Sequence, residues 1–239
     1  MVRAKRRLGV GSAGAATVQV VTALATEDCA RPRLRGVLHQ YAFYCSLVVG
    51  ALLVADTTGV RSRAAAAVFA AAVAVMFGAS AAYHRVDWGP VARRWMRRVD
   101  HAGVYLMIAG GYTAYGLLAL SGAWLIAVLA VVWSGAGVGI ALRFAWVDAP
   151  GWLTAAIGVS LGWVGIVALP KALGALGPAG LGLLLAGGVL YTAGAVVYAR
   201  RRPDPFPTVF GFHEVFHALV IGAVACQYAS VAFFLLPGS

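Results

Sequence analysis

Long apolar runs, each closed by a short polar or glycine- and proline-rich stretch, set the pattern of this chain. Seven of them are Leu38 to Ala55, Ala64 to Tyr83, Ala102 to Leu120, Ala123 to Leu142, Trp152 to Leu169, Leu181 to Ala199 and Val209 to Leu236. Each is long enough for a helix to cross roughly 30 Å of hydrocarbon. The runs are unbroken, with no charge at all between Ala64 and Tyr83, whereas barrel strands would alternate apolar and polar residues. Ser121 and Gly122 split the third and fourth runs, Pro150 and Gly151 precede the fifth, Pro170 follows it, and Pro203, Pro205 and Pro207 separate the sixth from the seventh. The pattern predicts an all-α integral membrane protein: a seven-transmembrane helix bundle over 31–239, behind a basic, flexible tail at 1–30. Pairs such as Gly135 and Gly139 suit close helix approach.

Composition agrees. The 239 residues are 62% hydrophobic and 11% charged, with a mean hydropathy of +0.84, too apolar for a soluble surface. Cys29, Cys45 and Cys226 have no CxxC spacing and imply neither a disulfide framework nor a thiolate zinc cage. The net charge of +11 does not indicate nucleic acid, because the basic residues stand at the edges of apolar runs rather than in an interleaved patch.

They read instead as an orientation code, with 16 of the 19 Lys and Arg on one side of the seven runs and only Arg61, Arg63 and Lys171 on the other. That places the N-terminus in the cytoplasm, the C-terminus outside, and the protein in the cell (plasma or inner) membrane. A C-terminal alkaline phosphatase fusion is expected to be active; a stably expressed but inactive fusion would reverse the orientation. Arg3, Lys5, Arg6 and Arg7 faintly resemble the start of a signal peptide, but Gly9, Gly11, Ser12, Gly14, Thr17 and Gln19 dilute the apolar core one needs. A cytoplasmic tail is expected instead.

Counting the runs brings ionisable residues from three segments to one depth. His84 ends the second run, Asp100 opens the third, and His213 and His217 occupy the first turns of the seventh, all on the cytoplasmic side. His213 and His217 are four residues apart and share a helix face, so one divalent ion can bridge them. Ionisable groups inside a membrane span mark function by default. Three neutral imidazoles would leave a fourth tetrahedral position of zinc to water, the pattern of a catalytic site. Asp100 is placed to take a proton from that water, and Ser80, one turn before His84, to hydrogen-bond the water or an oxyanion. His213 to His217 also spells H-E-x-x-H, the zincin protease motif with Glu214 as base. No third ligand follows it, while His84 and Asp100 complete a site from elsewhere. His39 and His101 read as interfacial or outward residues, and Cys45 and Cys226 as packed ones.

These residues resemble a known family. Ser80-Ala-Ala-Tyr-His84, Arg98-Val-Asp100-His101 with Ile108-Ala-Gly-Gly-Tyr112-Thr, and His213-Glu-Val-Phe-His217 look like the hemolysin III family, bacterial relatives of the progestin and adiponectin receptors, as does Arg31-Pro-Arg-Leu-Arg-Gly-Val-Leu-His39. The resemblance runs from Arg31 to the C-terminus. It implies seven helices with a cytoplasmic N-terminus and a zinc ion near the inner leaflet on His84, His213 and His217, with Asp100 holding the zinc-bound water. The receptor branch is associated with ceramide hydrolysis; for bacterial members the family name records haemolysis, and membrane-fluidity homeostasis is another proposed role. Gly111 and Ala114 stand where the family commonly has threonine and proline, so a kink in the third span is expected to be lost.

The expectation is therefore a zinc-dependent membrane hydrolase of a lipid amide or ester, with Zn2+ on His84, His213 and His217, Asp100 and Ser80 catalytic, and a lipid of the surrounding bilayer as substrate. The alternatives are a non-enzymatic homeostasis or receptor-like protein with structural zinc, and a pore-forming cytolysin. No amphipathic polar stripe lines several spans as a pore would need.

Overall fold

The structure, a computed structural model, describes residues 32–238. The tail expected at 1–30 lies outside the described residues, as does Cys29. The elements are α1 (Val37–Asp56), α2 (Val60–Arg85), α3 (Pro90–Ala119), α4 (Gly122–Ala145), α5 (Gly151–Gly162), a 3-10 segment (Val164–Ala168), α6 (Leu169–Arg200) and α7 (Phe212–Ser230), the last running into a π-helical turn (Val231–Leu235). Among the described residues there is no strand, and six helical stretches are long and apolar enough to cross a membrane. Large apolar side chains face outward along them, among them Leu52, Ile126, Val138 and Phe233. Outward apolar surface on helices of this length is what a bilayer, not water, stabilises. The protein is a multi-pass helical membrane protein.

Three boundaries differ from the sequence pattern. α3 starts at Pro90, not Ala102: proline fits the first helical turn, where its missing N–H costs nothing, and the basic stretch Arg93 to Arg98 is already helical. Asp100 thus sits about three turns inside α3 rather than opening it. α3 then runs unbroken through Gly111 and Ala114, as the missing proline predicted.

The fifth apolar run is not one regular helix. It breaks at Trp163 into the 3-10 segment, and Pro170 begins α6 instead of ending a span. α6 itself is interrupted at Gly177, whose φ of 64° is left-handed, next to Pro178. Glycine reaches that conformation at no steric cost, and the proline cannot donate to the turn before it. Beyond the break the chain lies back along α5: a methyl group on Gly151 would lie 3.2 Å from the Tyr198 ring, and the Trp163 indole donates to Thr192 Oγ1 at 3.0 Å.

Packing relies on small residues. A methyl group on Gly139 would come within 2.6 Å of the Tyr105 ring, and one on Gly135 within 2.6 Å of Leu161, so these two glycines set how closely α4 approaches α3 and α5. Helices in lipid associate through such close contact, because burial of apolar surface gains nothing against acyl chains. One core joins α1, α2, α3 and α7 through Leu53, Phe69, Met76, Phe77, Met107, Val220 and Val224. A second joins α3, α4 and α5 around Tyr105, Val132 and Leu161. Cys45, expected to be packed, is exposed on α1 and faces the lipid side; Cys226 is half-buried.

Candidate metal centre

Two local devices deliver the histidines. α2 ends just after His84, where Val86 turns extended and the Ala82 carbonyl accepts both the Val86 N–H at 3.3 Å and the Trp88 indole N–H at 2.9 Å. α7 begins just before His213: the Gly211 N–H donates to Glu214 Oε2 and the Phe212 N–H to Asp204 Oδ1, both at 2.8 Å. The chain before α1 closes over both. Arg33 and Leu34 donate their N–H groups to Thr208 and Val209 carbonyls at 3.0 and 3.1 Å, and Gly36, with φ of 76°, lies against His84 so closely that a Cβ there would collide with the His84 Cβ. Glycine meets both demands at this position, the left-handed backbone and the close approach.

The three histidines predicted from span counting do come together. One nitrogen of each of His84, His213 and His217 lies within 4.8 Å of the others, and among the described residues this is the group that could hold a metal ion. His84 Nε2 and His213 Nε2 face each other at 3.1 Å. In a tetrahedral site with metal–nitrogen bonds of 2.0–2.1 Å, ligand nitrogens stand roughly 3.3 Å apart. His217 is buried, and its Nδ1 has no hydrogen-bond partner, a cost the interior rarely leaves uncompensated. Asp100 Oδ2 is 3.8 Å from His84 Nε2, with the carboxylate 12% exposed. Arg97, one turn before Asp100 on α3, pairs instead with Asp148 at 2.7 Å.

Ser80 is buried, and its hydroxyl is 2.8 Å from His39 Nδ1. His39, read from sequence as an interfacial residue, is also buried and stacks on His217 with ring centroids 3.6 Å apart and planes 11° from parallel. It meets Phe77 edge-on from another side. His39 therefore belongs to the centre, packing against one of the three clustered histidines and holding Ser80. The signal that could have found it is its place near the start of the first span, at the same end of the bundle as the other three.

Glu214 is fully buried, but it does not face the centre's reactive side. Besides capping α7 it is paired through Oε1 with Arg35 Nε at 3.0 Å. Both oxygens are committed to structure, so the H-E-x-x-H spelling supplies two of the three clustered histidines and a helix cap.

A cavity of about 260 Å³ opens from the centre. His39, Ser80, Asp100, His213 and His217 line one end; from Asp100 it follows α3 past Val104 and Ile108 to Leu120, and its other walls are mostly apolar. Twenty residues of helix correspond to about 30 Å. His101, expected to point away, lies on this wall and contacts Arg143 through Nδ1. Arg143 is buried and also donates to Thr154 Oγ1 at 2.9 Å.

The family model described as "Haemolysin-III related" matches residues 28–228, nearly all of the bundle. The chain belongs to the hemolysin III family. It is 32% identical over 136 residues to "Hemolysin-3 homolog" of Bacillus subtilis (strain 168), covering 57% of this chain and 61% of that protein. It is 32% identical over 148 residues to "Hemolysin-3" of Bacillus cereus, covering 62% of this chain and 65% of that protein. The matches thus span less than two thirds of these relatives. For this hemolysin III protein the match encloses all the residues of the centre, from His39 to His217.

Proposed function

We propose that this protein is a zinc-dependent hydrolase of a lipid amide or ester, acting from within the membrane. The observation that carries the reading is the cavity: His213 and His217 of the trio stand with His39 and Asp100 at one end of a channel whose other walls are mostly apolar and whose length suits an acyl chain. The donor set of three neutral imidazoles suits zinc, and the orphaned His217 Nδ1 and the facing His84 and His213 nitrogens fit an ion held among them. Zinc bound there supplies Lewis acidity, lowering the pKa of water and polarising a carbonyl.

The chain's own residues do the rest. Asp100 accepts the proton that water loses as its oxygen adds to the substrate carbonyl carbon, and returns it to the departing amine nitrogen or alcohol oxygen as the carbonyl–heteroatom bond breaks. Ser80, oriented by His39, donates to the carbonyl oxygen as it gains charge. The apolar walls bind the chain of the lipid and exclude bulk water. The products are a fatty acid and an amine or alcohol.

Topologically, the reading includes seven crossings with the centre at the cytoplasmic leaflet. The stretch Gly151–Arg200 is 50 residues, about 75 Å of helix, far more than one crossing of roughly 30 Å needs. The reversal at Gly177 and the antiparallel contacts of Trp163 with Thr192 support two crossings there.

Untargeted lipidomics of cells expressing the wild type or His213→Ala tests the activity. One lipid amide or ester class is expected to accumulate in the variant; no change in any class would favour the second reading, a non-enzymatic protein in which zinc ties α2 to α7. That reading draws on the burial of His217 and its stack on His39. The name of the Bacillus cereus relative points to a cytolysin, and dye release from liposomes carrying the purified protein would be its sign.

A further inference from the structure

We infer that a groove on the outer face of α6, separate from the metal centre, is a docking site for one acidic phospholipid. The groove occupies about 1280 Å³ along α6 and the residues just after it, from Val189 to Arg202, and is floored by apolar side chains, with Val189 and Val196 exposed. At one end it meets Arg200, Arg201 and Arg202, all exposed. Trp163 and Thr192 line both this groove and the interior cavity, and their hydrogen bond forms the wall between the two. The groove is therefore a second site, and its assignment does not rest on the hydrolase reading.

Length and charge select the occupant. From Val189 to Arg200 is eleven residues, about 16 Å of helix, or half the hydrocarbon thickness. A lipid of one leaflet can thus lay a chain along the groove with its head group at the arginines. Arg201, in the left-handed conformation with φ of 54°, turns the chain so that consecutive guanidinium groups follow the helix end. Among the described residues none of the three forms an ion pair. The groove's one carboxylate, Asp204, accepts the Phe212 N–H at 2.8 Å through Oδ1. Guanidinium groups match phosphate oxygens in geometry and charge, and basic pockets beside membrane helices bind anionic head groups for this reason. A zwitterionic lipid offers the same chains but adds a cation next to the arginines.

The test is native mass spectrometry of the delipidated full chain titrated with phosphatidylglycerol or with phosphatidylcholine of identical chains. The first phosphatidylglycerol is expected to bind at least about tenfold more tightly than phosphatidylcholine. Arg200→Gln with Arg202→Gln should abolish that preference, and Arg93→Gln with Arg94→Gln, removing equal charge from α3, should preserve it. Val196→Trp, which fills the groove, should weaken binding of both lipids. Equal binding of the two lipids by the wild type, an undiminished preference in the α6 variant, or an equal loss in the α3 variant would overturn the assignment.

Discussion

A His217→Ala variant is expected to lose its metal: zinc measured by plasma mass spectrometry should fall from about one ion per chain to roughly a tenth or less, in line with the dependence of such sites on a full ligand set. The residue is buried and rigidly placed, with His39 stacked on its ring, so no solvent-borne side chain can replace it. Water can occupy the vacated position, but water is a poorer ligand than imidazole, and two histidines hold zinc far less firmly than three. The substitution also opens a cavity between α1 and α7. A large-to-small change in a packed interior costs about 2–5 kcal/mol, so the thermal midpoint should drop as well. The discriminating quantity is the metal: stoichiometric zinc retained by a folded His217→Ala protein would remove His217, and with it the three-histidine site, from consideration. Exposed Cys45 on α1 provides no substitute ligand, since it faces the lipid side.

Asp100→Asn is expected to separate metal binding from chemistry. The amide matches the carboxylate in shape and can still hydrogen-bond, and Asp100, at 3.8 Å from His84 Nε2, is outside the trio of ligands, so zinc content and thermal midpoint should stay close to wild type. It cannot accept the proton. Loss of a positioned general base costs typically 10²–10⁴-fold, so turnover of the lipid class revealed by lipidomics should fall by about that factor. Glu214→Gln gives the contrast. It removes the charge facing Arg35 and should lower the thermal midpoint, yet leave turnover within a few-fold of that of wild type. The opposite outcome, activity lost in Glu214→Gln and kept in Asp100→Asn, would restore the zincin assignment. An Asp100→Asn protein with metal and cellular phenotype both intact would support zinc as a tie between α2 and α7 rather than a reagent.

Much of this centre was legible in the chain because helices in a membrane are rigid rods of known rise whose ends alternate between two surfaces. An apolar run sets a span, the count of spans sets which side each end faces, and the distance from that end sets depth. That reasoning placed His84, His213, His217 and Asp100 together before any tertiary contact was considered. The four-residue spacing of His213 and His217 fixed their shared face by helical period alone. Boundaries were less legible. The basic turns from Arg93 to Arg98 precede the apolar run of α3 yet belong to the same helix, and the break at Trp163 leaves no mark on hydropathy because both sides of it are equally apolar.

By itself, then, the sequence determined the helical membrane class, the main spans, the depth of the histidines and the absence of a proline kink in α3. Only the tertiary structure decided the partners. It assigned Glu214 to Arg35 and the Gly211 N–H, brought His39 onto His217 and Ser80, turned His101 to Arg143, and folded the stretch after Gly177 back along α5. The physical reason is that periodicity and hydropathy describe each helix about its own axis. How two helices rotate and approach depends on how small residues such as Gly36, Gly135 and Gly139 mesh with side chains far away in the chain, and no local pattern carries that information.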